Sequence, residues 1–154
     1  MSRNTIVVTG WISMKQILAV SLILLSMMCG GLSVNADITI RKSGALVWTV
    51  DGKGAIRERG RKVGSIDASG KVRKNGALTG EVESGGTIRR SGAKIGSVDS
   101  SGKVRKQGRL IGEVSSGGTI RQSGSLWGSS SNCCDDQGRR QVVAVIVFFG
   151  GFLN

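Results

Sequence analysis

Apolar and glycine positions recur every 16 residues from Ile38 onward, in units starting at Ile38, Gly54, Gly70, Gly86, Gly102 and Gly118. Position 3 of each unit is Ile or Val: Ile40, Ile56, Val72, Ile88, Val104 and Ile120. Position 4 is Arg: Arg41, Arg57, Arg73, Arg89, Arg105 and Arg121. Position 7 is always Gly. Position 13 is Val or Ile in the five complete units, and position 14 is acidic in four of them (Asp51, Asp67, Glu83, Asp99). A unit this short has no room for a helix. Its β-branched residues lie between glycine-bearing turn signals, which predicts short strands. The first strand covers roughly positions 1–6. A tight turn such as Asn75-Gly76 follows, with Gly supplying the positive φ that hairpins need. A second strand runs through residues such as Ile95–Val98, and Ser100-Ser101-Gly102 turns the chain back. The pattern is an up-and-down meander of hairpins.

Alternation along a strand sorts the faces. Positions 3 and 13 point inward; the Arg at 4 and the acid at 14 point outward, in exposed pairs each worth about 0–1 kcal/mol. Positions 10 and 13 are both apolar in several units, and this odd spacing breaks strict alternation. Gly at position 11 is the candidate for a bulge that absorbs it. In the first unit Trp48 stands there instead. Free sheet edges invite aggregation, so the meander should close into a ring. The sixth unit begins normally and departs from the repeat after Trp127-Gly128, so Trp48 and Trp127 flank the repeat ends and are expected to plug the closure. The apolar run Val142–Phe149 has the length of a strand buried on both faces. The expected fold is therefore all-β: a shallow, symmetric antiparallel barrel of hairpins, closed by a C-terminal apolar strand. The position-3 residues, Phe148 and Phe149 would line its lumen. Residues 37–149 form the single repeat domain and 150–154 a tail.

The N-terminal segment reads differently. Lys15 precedes Ile17–Met28, a 12-residue run without a charge, and Val34-Asn35-Ala36 is an acceptable cleavage triplet. These are the parts of a secretory signal peptide over residues 1–36, with Met14 as the natural start. The run is short for a bilayer span, so an uncleaved anchor is the lesser alternative. The expected location is exported: periplasmic, outer-membrane-associated or secreted. The mature part, Asp37–Asn154, carries 20 basic and 10 acidic residues, a net charge of +10 within a whole-chain +12. A basic exported domain meets anionic partners, either a lipid or membrane surface or an anionic envelope polymer. Nucleic acid is not expected, because aromatic stacking platforms do not accompany the basic residues.

Candidate chemistry is sparse. The chain has no His, and the mature part has one adjacent cysteine pair, Cys133-Cys134. No metal site is expected from that set, and no cofactor. The pair is open to a vicinal disulfide, an intermolecular bridge or two free thiols, since export permits disulfides. The glycines do not form a phosphate loop. The acids stand beside arginines, which favours structural pairing over acid–base catalysis. An enzyme is not expected. Two readings remain. In the first, a lipid or other apolar, anionic ligand binds at the barrel mouth or lumen, with Arg41, Arg57, Arg73, Arg89, Arg105 and Arg121 steering headgroups. In the second, the protein is a structural or self-associating envelope scaffold with a basic rim.

The 16-residue motif G-[TK]-[IV]-R-x-x-G-x-x-[IV]-G-x-[VI]-[DE], the preceding signal segment and the ending Val145-Ile146-Val147-Phe148-Phe149 resemble the bacterial five-fold β-flower proteins. The resemblance covers about residues 38–149. It implies a shallow symmetric barrel with hairpin petals, superficially like the Tubby C-terminal domain but without its central helix. Because Tubby domains bind lipid headgroups, it also implies a lipid-related role. No activity and no functional residue carries over.

Overall fold

The structure, a computed structural model, describes residues 36–153. The segment read as a signal peptide lies outside the described residues except for Ala36. Twelve antiparallel strands form six hairpins: β1 (Ile38–Lys42) with β2 (Ala45–Val50), β3 (Ala55–Glu58) with β4 (Arg61–Ile66), β5 (Lys71–Lys74) with β6 (Ala77–Val82), β7 (Thr87–Arg90) with β8 (Ala93–Val98), β9 (Lys103–Lys106) with β10 (Arg109–Val114), and β11 (Thr119–Gln122) with β12 (Ser125–Ser131). Each strand pairs with the next, and β12 pairs with β1, so the sheet is a closed barrel.

Two features differ from the expectation and have physical causes. The five-fold resemblance gives way to six hairpins, because the sixth unit completes its second strand: Thr39 faces Ser131 and Ile40 faces Ser130 across the seam. Ser130 occupies the inward position that Val or Ile holds elsewhere and is itself buried. Its hydroxyl donates to the Gly118 carbonyl at 3.3 Å, which satisfies the polar group there. The second correction is larger. The apolar run expected to close the barrel as a strand is a helix, α1 (Asp136–Phe148). With the ring already closed by β1 and β12, no strand edge is left for it to join. A chain inside the barrel must then satisfy its own N–H and C=O groups, and a helix does so within one segment. This overrides the strand preference of its valines. The Asp135 carboxylate starts the helix by accepting from the Gly138 N–H at 2.6 Å.

The barrel also requires such a filler. Side chains alone pack an eight-stranded barrel, and wider ones enclose space. Here α1 enters beside the end of β12 and runs through the ring toward the rim that carries the petal turns. Val142–Val147 are almost wholly buried against Ile40, Ile56, Val72, Ile88, Val104 and Ile120. The predicted inward Ile and Val therefore form the core around a helix. That α1 lies at the centre also reverses the expectation of a barrel without a central helix.

The bulge exists in every hairpin and lies one residue from its expected place. Ile40 faces Trp48 while Arg41 faces Leu46, which leaves Val47 as the extra residue. Position 10 is thus bulged, and position 11 points inward. Its glycine gives room both to the neighbouring strand's carbonyl, as with Arg89 at Gly80, and to the chain's end. A Cβ on Gly64 would stand 2.6 Å from the Phe149 ring, one on Gly80 2.5 Å from Phe148, and one on Gly96 3.3 Å from Leu153. Gly112 lies likewise beneath Phe152. Residues 150–153, expected as a tail, belong to the core: Phe152 and Leu153 are buried. At the seam Trp48 fills position 11 with its own side chain and stacks on Trp127, centroids 6.1 Å apart and planes 6° apart. The two tryptophans close the ring ends as expected.

Candidate functional site: the petal rim

The expected lumen residues are all present in the interior or at its mouth, and they are covered. Ile40, Ile56, Val72, Ile88, Val104 and Ile120 have no exposed surface. Phe148 is buried and Phe149 half-buried at the petal end of α1. The chain's own helix takes the volume that a lumenal ligand would need.

The six arginines lie on the outer wall, as alternation predicts, and part of their charge is engaged. Arg89 Nε lies 2.6 Å from Glu83 and Arg105 Nη1 lies 2.8 Å from Asp99, with Arg57 at a looser 3.9 Å from Asp51. Arg41 and Arg121 donate to the carbonyls of Gly44 and Gly124 in their own hairpins. Arg73 has no ion pair among the described residues. Each acid is held in turn. Asp99 lies well below the usual carboxylate range because the Ser101 hydroxyl and then Arg105 bond it. The Ser69 hydroxyl lowers Asp67, and Arg89 lowers Glu83. Asp51, Asp67 and Asp99 each also accept from backbone N–H groups two and four residues on, so they shape the inter-hairpin turns.

Position 5 of the repeat is a group that reading position 4 alone leaves out. It lies two residues beyond the inward position 3, so its side chains turn in over the barrel mouth. Arg90 donates to the Val147 carbonyl (3.5 Å), Lys106 to that of Leu153 (2.7 Å) and Gln122 to that of Phe152 (3.3 Å). Lys42 stands 5.0 Å from the Trp127 ring centre, Lys74 5.7 Å from Phe149, and Arg90 5.6 Å from Phe148. The last turn of α1 contains no basic residue, and this collar, with Lys42, Lys74, Arg90 and Lys106 against Glu58 at the same position of the second unit, supplies net positive charge where the helix dipole is negative.

Together these positions give the barrel two unlike ends. Positions 4–9, the petal half of every hairpin, carry 15 Lys and Arg and a single acid, Glu58. The acids gather toward the opposite rim, where Asp51, Asp67, Glu83, Asp99, Asp135 and Asp136 lie. The petals also hold the exposed large apolar side chains Leu46, Leu78, Leu110 and Leu126.

At the opposite rim, Cys133 and Cys134 are joined as a vicinal disulfide just before α1. Ser130 Oγ lies 2.9 Å from Cys133 Sγ. No helix of the described residues is long and apolar enough to cross a membrane. Fold and rim define a closed twelve-stranded β-barrel around its own C-terminal helix, with a cationic, leucine-bearing petal face. Comparison with protein-family models, curated proteins and solved structures finds no match to this chain.

Proposed function

We propose that the protein is a non-catalytic, exported β-repeat module that binds anionic lipid at the petal rim. The observation that carries this is the petal half's charge, 15 basic residues against one acid, combined with its exposed leucines. A basic residue near an anionic bilayer contributes roughly 1 kcal/mol, so even a few approaching together hold a small protein there. Of the two places expected for a ligand, mouth or lumen, the filled interior favours the mouth. The β-flower resemblance supports a lipid-related role and the signal segment supports export.

The alternative, a scaffold coating an anionic envelope polymer, draws on the same charge and on the packed core. Co-sedimentation with phosphatidylglycerol-containing and pure phosphatidylcholine vesicles, across a salt series, separates the two. The lipid reading expects binding to the anionic vesicles with a component that survives high salt. Binding that vanishes entirely with salt, together with equal binding to a soluble polyanion, points to the polymer.

A further inference from the structure

The petal leucines are unevenly placed around the ring. At position 9 the hairpins carry Leu46, Lys62, Leu78, Lys94, Leu110 and Leu126 in chain order. Because β12 closes on β1, the hairpins of Leu110, Leu126 and Leu46 are neighbours. Leu78 stands alone between the hairpins of Lys62 and Lys94. Charge is skewed in the same direction: positions 4–9 of the Leu110, Leu126 and Leu46 hairpins carry six Lys and Arg, and those of the other three carry nine. Arg121 is the one basic residue at positions 4–9 of the Leu126 hairpin, whereas the Lys62 hairpin has Arg57, Arg59, Arg61 and Lys62 there. Leu126 is 70% exposed and its neighbour Trp127 half-buried, so the middle of the arc offers apolar surface where the charge is thinnest.

We infer that the protein sits tilted on an anionic lipid bilayer, with the Leu110–Leu126–Leu46 arc inserted at the boundary between headgroups and acyl chains. The Arg59–Lys62 hairpin lies against the headgroups. This inference rests on the lipid reading above and adds a direction to it. Charge complementarity selects the anionic bilayer as partner. The segregation of leucine from charge gives the tilt, in the way an amphipathic helix buries one face at an interface.

The test uses the protein from Asp37 onward, whose described residues close around their own core. The probe is vesicles of phosphatidylglycerol and phosphatidylcholine. Leu126→Ser should weaken partitioning about tenfold, the loss of one inserted leucine. Leu78→Ser, chemically identical, should change it less than about twofold, since an uninserted leucine contributes little transfer energy. Both sites are exposed, so both variants should keep the wild-type melting temperature. A second readout places a probe directly: the emission that Leu126→Trp adds to that of the native Trp48 and Trp127 should be quenched by lipid with brominated acyl chains, and the emission that Leu78→Trp adds should not. Equal losses for the two serine variants, or equal quenching, would overturn the tilt while leaving lipid binding intact. Failure of the wild type to prefer anionic vesicles would overturn the lipid reading and the tilt with it.

Discussion

Gly80→Ala tests the seating of the plug on the position-11 glycines. The added Cβ would fall 2.5 and 2.6 Å from two atoms of the Phe148 ring, where ordinary contact needs 3.4–4 Å. Its closest approach would be to the Arg89 carbonyl of the neighbouring strand. The ring cannot simply swing away, because Phe148 is buried at the end of α1 with Arg90 over its face. Overpacking of this kind costs about 1–3 kcal/mol. Replacing Gly in a strand returns roughly 0.5–1 kcal/mol of backbone entropy. The net loss should be about 1–2 kcal/mol, read as a lower urea midpoint at unchanged m-value. The informative step is the cycle with Phe148→Ala. Removing the ring removes the side-chain part of the clash and leaves the Arg89 carbonyl, so Gly80→Ala should cost less in that background without becoming neutral, and the double variant should be more stable than additivity by about 1 kcal/mol. Additivity within about 0.5 kcal/mol would refute the seating.

Ile146→Ala, at a fully buried site on α1, should lose about 2–5 kcal/mol in chemical denaturation, a core loss that an exposed helix could not show. Acid should destabilise the fold. The pKa values of Asp99, Asp67 and Glu83 are lowered by folding, so their contribution is complete above the unfolded carboxylate range and is lost as pH falls through the folded values. Melting temperature should therefore be flat near neutrality and fall below about pH 4, less steeply in an Asp99→Ser variant. Reducing Cys133–Cys134 should leave the barrel folded by circular dichroism. The bond links adjacent residues, so it closes almost no loop, and the seam rests on β1 and β12.

Much of the barrel was legible because a strand repeats its inside–outside choice every second residue. The inward Ile and Val, the outward Arg, the turns and the tryptophans at the closure all followed from that period. Three things did not. Val142–Phe149 carries β-branched residues without alternation, and such a run reads alike as a strand or a buried helix. The decision came from ring closure, a tertiary fact. Ser130 replaces the valine of its position, so the sixth hairpin looked broken. Glycine at position 11 was legible as a special residue, but its partners lie 40 to 85 residues away along the chain, in Phe148, Phe149, Phe152 and Leu153. The position-5 collar had a usable signal, since two steps from an inward isoleucine is inward again. The attraction of the invariant Arg at position 4 obscured it.

Native mass spectrometry of residues 37–154, purified from an exporting host, tests the central claim most directly: that the chain fills its own barrel and works from its rim. The account predicts the bare polypeptide mass after a high-salt, mild-detergent wash, because α1 occupies the interior and rim-bound lipid exchanges. One tightly held molecule of several hundred daltons per chain, surviving that wash and lost only on unfolding, would contradict it and return the ligand to the lumen.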